Sequence, residues 1–147
     1  MTKKENLSVI GENTPRSDGF AKVTGKLEYP SDIHIPGMLY AVVLRSPYPH
    51  AEILSIDTSE AEALGAVCFT YKDIKTIIYN ERSVSVPSQT YRDRTILPNK
   101  ARHVGEPIAA VAAETEELAF KAVKALKVEY KILEAVFDPE EAMKDGA

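Results

Sequence analysis

The order of apolar and polar residues predicts an α+β domain, with two strand–helix–strand units beside additional strands. Three observations carry that prediction. Short β-rich apolar runs bounded by proline and glycine recur along the chain, as in MLYAVVL at 38–44 and IAAVAA at 108–113. A stretch with 3.6-residue periodicity places Leu118, Ala119, Ala122, Val123 and Leu126 on one helix face. The succession strand, cap, helix, strand occurs around 50–70 and again around 107–132.

Residues 1–36 are poor in apolar periodicity and rich in turn formers, among them Gly11, Pro15, Gly19, Gly25, Pro30 and Pro36, which predicts an extended arm with turns. The body of the domain then runs over 37–147. MLYAVVL opens after Pro36-Gly37 and closes at Ser46-Pro47 as a buried strand. The turn RSPYP leads into a second strand, HAEILSID at 50–57, because its two prolines cannot donate to a ladder. Asp57, Thr58 and Ser59 offer capping oxygens to a short helix, EAEAL, which ends at Gly65, a natural residue after a helix C-terminus.

AVCFT at 66–70 resumes a strand. Residues 71–99, with Pro87, Pro98 and the β-branched piece SVSV, read as a long excursion containing one hairpin. After IAAVAA, Thr115 is an N-cap, and Glu116 and Glu117 load the first helical turn with the charge its dipole favours. KVEYKIL alternates Val128, Tyr130 and Ile132 against Glu129 and Lys131 as a half-buried strand.

With 147 residues the chain suits one domain and buries enough surface to need no metal or disulfide. A net charge of −4 gives no electrostatic footprint for nucleic acid. The longest uninterrupted apolar stretch, Pro107 to Ala113, falls far short of the roughly 18 residues that cross a bilayer. No apolar segment follows the N-terminal lysines as a signal peptide requires, and the single cysteine cannot form an internal disulfide. These features predict a soluble cytoplasmic protein.

Candidate chemical residues are few. GFAKVTGKL at 19–27 has five residues between its glycines where a phosphate loop has four, and Leu27 stands in place of the magnesium-holding Ser or Thr. His34, His50 and His103 are far apart and lack the close Cys/His spacing of a zinc site. Cys68, between Val67 and Phe69, reads as a small core residue, and His50 as a hydrogen-bonder at a strand edge. Ser46, Ser55 and Ser83 lack the glycine-flanked elbow of a serine nucleophile. Glu106, between Gly105 and Pro107, is either a carboxylate at a pocket mouth or part of a turn feeding a strand.

Taken in order, PRSDGFAKVTGKLEYPSDIHIPGMLYAVVLRSPYPHAEILSIDTSEAEAL resembles the start of the large subunit of molybdenum hydroxylases. That family holds xanthine dehydrogenase, aldehyde oxidase and carbon monoxide dehydrogenase. The resemblance continues through RHVGEPIAAVAAETEELA and VEYKILEAVFDPEEAM, covers 8–144, and is weakest across 71–95. Its arm looks most like the xanthine and nicotinate dehydrogenase branch. LGAV at 64–67 lacks the family's usual proline before the glycine, and Asn99 stands where the family often has an acidic residue.

The resemblance implies an a/b hammerhead fold with a mixed sheet, and a fragment of a longer large subunit. The whole enzyme would hydroxylate an aldehyde or heteroaromatic carbon with water. Its molybdopterin and catalytic glutamate would come from the following domains, and its iron–sulfur clusters and FAD from partner domains or subunits. No catalytic, cofactor-binding or metal-binding residue of the family then falls within this chain. Gly105-Glu106-Pro107 becomes a turn into the 108–113 strand, with Glu106 capping or pairing locally. A separately encoded scaffold or assembly subunit is the alternative.

Overall fold

The structure is a computed structural model that describes residues 11, 13–75, 77–80, 92 and 94–146. The chain divides at Pro36 into two units. In the first, the sequence predicts only extended chain and turns. The structure also has a helix, α1 (Gly19–Val23), and a single 3-10 turn over Pro30–Asp32. Asp18 holds this helix start by ion pairs to Arg16 at 2.9 Å and Lys22 at 3.2 Å, which pull its carboxyl below the usual carboxylate range.

Among the described residues the second unit contains six strands and three helices: β1 (Tyr40–Arg45), β2 (Ala51–Asp57), α2 (Ser59–Ala63), β3 (Val67–Phe69), β4 (Lys100–Ala101), β5 (Pro107–Ala113), α3 (Glu116–Ala125), β6 (Lys127–Ile132) and α4 (Pro139–Ala142). Each element predicted from periodicity has its counterpart. The short pieces β4 and α4 have no periodic signal to announce them. Asp138 caps α4 by accepting hydrogen bonds from Glu140 N at 2.7 Å and Glu141 N at 3.2 Å. In the 71–99 excursion, Tyr79 and Arg94 form an antiparallel bridge; SVSV and the hairpin assigned to it lie outside the described residues.

The α+β class and both strand–helix–strand units are present, but the strands are arranged differently from a single mixed sheet. They form two three-stranded sheets, ordered β1-β5-β3 and β4-β2-β6, and every ladder is antiparallel. The connection over 58–66 is shorter than the dozen or so residues of a parallel crossover, so β2 and β3 cannot lie side by side in parallel. Each unit instead hands its second strand to the other sheet: β3 pairs with β5, and β6 pairs with β2.

Thr58 and its neighbours start α2, though Asp57 is the acceptor, taking Ser59 N at 3.0 Å. Gly65 ends the helix at φ +87°, a conformation that a side chain would strain. Two bonds close the helix end, Gly65 N to Glu62 O and Ala66 N to Ala61 O. In α3, Thr115 Oγ1 accepts Leu118 N at 3.2 Å as the predicted N-cap.

The core lies between the β1-β5-β3 sheet and the two helices. Ala109, Val111 and Ala113 of β5 meet Ala119, Ala122 and Val123 of α3, with Ala61 of α2 and Tyr40, Val42 and Leu44 of β1 around them. Alanines on both sides let helix and sheet approach closely. The opposite face of this sheet carries Ala41 and Val43 of β1, Ala110 and Ala112 of β5, and Val67 and Phe69 of β3, in two cross-strand rows.

The β4-β2-β6 sheet has a different outer face. There Glu52 pairs with Lys131 at 3.1 Å, Ser55 Oγ donates to Glu129, and Lys127 pairs with Glu60. Its other face carries Ile53 opposite Tyr130, whose ring meets Tyr48 edge-on at 5.0 Å.

The closeness of α3 to β5 predicts that Ala122→Leu overfills the interface and costs about 1–3 kcal/mol. Urea denaturation of the chain checks this, with Phe120→Leu on the exposed side of α3 expected to shift the midpoint far less.

Candidate functional site at the Glu106 corner

Glu106 is charged yet only 5% exposed, so a local partner for it is required. The corner forms where the β1–β5 ladder ends. A bulge between Leu44 and Arg45 shifts the register, and the chain then pairs once more through the two turns. Ser46 N donates to Glu106 O at 2.9 Å and Gly105 N donates to Ser46 O at 2.8 Å. Ser46 Oγ, 2% exposed as a residue, accepts Tyr48 N and donates to Tyr48 O at 2.9 Å, closing RSPYP upon itself. The RSPYPH and VGEP stretches, far apart in sequence, are therefore bonded directly to each other.

Gly105 has φ +87°, which turns the backbone so that Pro107 enters β5. Its carbonyl accepts Arg45 Nη1 at 2.8 Å. Glu106 Oε2 accepts Arg102 N at 2.5 Å, and Oε1 lies 4.0 Å from Arg94 Nη1. Arg94 Nη1 also lies 3.2 Å from His103 Nε2. Since guanidinium only donates, Nε2 is the acceptor, and Nδ1 carries the proton it donates to Val104 O at 3.0 Å. Arg45, Arg94, His103 and Glu106, together with Tyr79 and Ile96, line a cleft of about 410 Å³.

The turn reading of Glu106 is the one the geometry supports: its carboxylate caps the loop at Arg102 and faces Arg94. The sequence alone did not reveal Arg94 as that partner, because it closes the 71–99 excursion, where no periodic pattern places a residue.

The other candidates are dispersed. In GFAKVTGKL, Gly25 N donates to Lys22 O and Lys26 N to Ala21 O, while Thr24 Oγ1 donates to Phe20 O at 2.7 Å, so the stretch is a helix end. His50 Nδ1 bonds Glu134 O and its carbonyl accepts Leu133 N at 3.0 Å, extending the β2–β6 pairing as a strand-edge residue should. It borders an open cleft of about 600 Å³ with Val136 and Phe137 of the segment after β6.

Cys68 faces the core, where burial and the charges of Glu62 and Asp73 push its thiol up, away from the nucleophilic thiolate. Ser55 bonds Glu129 on the outer face of its sheet, His34 lies in the first unit, and Ser83 lies outside the described residues. Among the described residues, no three of His, Cys, Asp and Glu gather as metal ligands. No helix among them is long and apolar enough to cross a membrane.

Residues 24–134 match the family model described as "Aldehyde oxidase and xanthine dehydrogenase, a/b hammerhead domain". The chain belongs to this family. It is 46% identical over 134 residues to a probable xanthine dehydrogenase subunit of Bacillus subtilis (strain 168), covering 90% of this chain and 17% of that protein. It is 34% identical to "Nicotinate dehydrogenase large molybdopterin subunit" of Eubacterium barkeri, covering 97% of this chain and 33% of that protein.

Among solved structures, quinoline 2-oxidoreductase from Pseudomonas putida 86 matches with a TM-score of 0.78 and 32% identity, over 91% of this chain and 18% of that one. The chain thus spans about a sixth to a third of the length of these relatives. For a hammerhead domain the Glu106 corner is a joint within the fold, holding the end of β1 to the start of β5.

Glu106→Ala removes the acceptor of Arg102 N and the counter-charge of Arg94, and is expected to cost about 1–3 kcal/mol. Glu106→Gln keeps an amide oxygen for Arg102 N and should recover more than half of that loss. Urea midpoints of the three proteins measure both steps; equal losses for the two variants would contradict the capping role.

Proposed function

We propose that this hammerhead domain is the N-terminal structural and docking part of a molybdopterin-dependent oxidoreductase large subunit. The enzyme hydroxylates an aldehyde or heteroaromatic carbon with water and passes electrons to iron–sulfur clusters and FAD on partner domains or subunits. Residues 1–36 serve as its arm and 37–147 as its body, and the protein works in the cytoplasm. The observation that carries this reading is the coverage: 97% of this chain aligns with a large molybdopterin subunit of which it represents 33%.

The side chains support the division of labour. Molybdopterin would need polar groups turned outward to hold it, whereas the buried carboxylate of Glu106 is turned onto Arg102 and Arg94 and the thiol of Cys68 is turned into the core. Bound elsewhere in the enzyme, molybdopterin would supply the redox chemistry of a hydroxylation that uses water. This chain supplies a wall and a fixed docking body. On this reading the catalytic, cofactor-binding and metal-binding residues of the enzyme lie outside this chain.

Production of the 147-residue chain in a host that makes molybdopterin tests the reading. The purified chain is expected to carry no molybdenum above a tagged control and to oxidise neither xanthine, nicotinate nor an aldehyde with a dye acceptor. The natural protein from its own cells should bring molybdenum with it. Substrate oxidation by the isolated chain would overturn the division of labour. Sequencing the gene past the Ala147 codon decides between an in-frame large subunit and a separately encoded scaffold.

A further inference from the structure

The two sheets treat solvent differently. The outward side of β2 and β6 has Glu52 opposite Lys131, Ser55 opposite Glu129 and Asp57 opposite Lys127, the polar cross-strand pattern of a sheet face meant for water. The outward side of β1-β5-β3 has a single charge, Arg45 at the bulged end of β1, whose Nη1 donates to Gly105 O. The two rows on this side read Ala41–Ala112–Val67 and Val43–Ala110–Phe69, six apolar residues on three adjacent strands.

Val43 is 40% exposed, Val67 48% and Phe69 44%, so the face is open in this chain. Scattered apolar residues on a surface are ordinary, but a contiguous apolar patch marks an interaction surface. Its relief is also specific. Ala110 and Ala112 on the central strand form a shallow trough, walled by Val43 on one side and by Val67 and Phe69 on the other.

We propose that this face is where the molybdopterin-bearing part of the enzyme docks. The assignment rests on the functional reading above and names the surface it uses. Two observations select this occupant over others. The aligned relatives carry most of their length outside the segment matched here, 83% in one case if the matched 17% is set aside, so an obligate neighbour of large size is available. The face has no charge among its six residues, which suits a permanent apolar contact within one enzyme rather than a transient, charge-steered encounter. A ridge of apolar side chains from a helix or strand of that neighbour fits the alanine trough.

Thiol footprinting tests the assignment with substitutions that keep the fold. Val43→Cys and Val67→Cys, each in a Cys68→Ala background, are labelled with a maleimide in the 147-residue chain and in the intact protein purified from its own cells. Lys131→Cys, on the charged face of the other sheet, is the control. The expected result is at least a tenfold slower labelling of both test positions in the intact protein, with Lys131→Cys changed less than twofold. Equal labelling in the two forms would overturn the assignment.

Slow labelling already in the isolated chain would also overturn it. If dilution then restores the rate, the occupant is a second copy of this chain; if not, it is a segment of the chain itself. A charge pair, Val43→Glu with Phe69→Glu, adds a second readout: at least a tenfold loss of the molybdenum-bearing polypeptide, or of protease resistance at the junction to it. An intact protein that carries no molybdenum at all would sink the functional reading. Molybdenum present with Val43→Cys freely labelled would sink the surface alone.

Discussion

The strand β5 is the element on which the structure depends. It is paired on both edges, by β1 and β3, and its alternate residues Ala109, Val111 and Ala113 pack beneath α3. Small side chains at Ala119 and Ala122 allow that helix to settle close to the sheet, where dispersion contacts are numerous and a methyl group too many is costly. Because β5 also leads through α3 into β6, its position decides where the second sheet begins. The partner strand of β6 is β2, which arrives from β1, so the two sheets are tied together through both ends of β5.

The Glu106 corner holds the start of that strand. The RSPYPH turn leaves β1 and the VGEP turn enters β5, so their mutual hydrogen bonds close the sheet at the end where its ladder fails. A buried carboxylate is an expensive way to close a loop unless each oxygen is met, and here Arg102 N and Arg94 meet them. These bonds make the RSPYPH and VGEP turns part of the architecture of the domain. They also separate the roles of the surfaces: the corner is turned inward upon itself, whereas the apolar outer face of β5 and its neighbours faces outward without a polar partner.

Much of this was readable in the order of residues. The strands at 40–45, 51–57 and 107–113, the Thr115 cap and the apolar face of α3 follow from period and capping chemistry, which are local properties. The cap at Gly65 follows in the same way. The helix α1 was not legible, since none of its residues is buried and no apolar stripe exists to mark it. The strand β4 escaped for a related reason: two residues are too few to show a period, and only pairing with β2 makes them a strand. Arg94 as the counter-charge of Glu106 depended on a contact made across a non-periodic excursion.

By itself, the sequence determined the α+β class, the strand and helix positions, the absence of a metal-ligand spacing, and, through its ordered motifs, the family. These are set by neighbours a few residues apart, within reach of backbone geometry and capping. Tertiary structure decided how the strands were shared between two antiparallel sheets, since a nine-residue link over 58–66 forbids parallel pairing and leaves several antiparallel choices that only packing resolves. It also decided which groups meet Glu106, because an isolated carboxylate has the same covalent structure whichever neighbours the fold brings to it. Only the positions of Arg102 N and Arg94, brought to it by the fold, assign it to the turn.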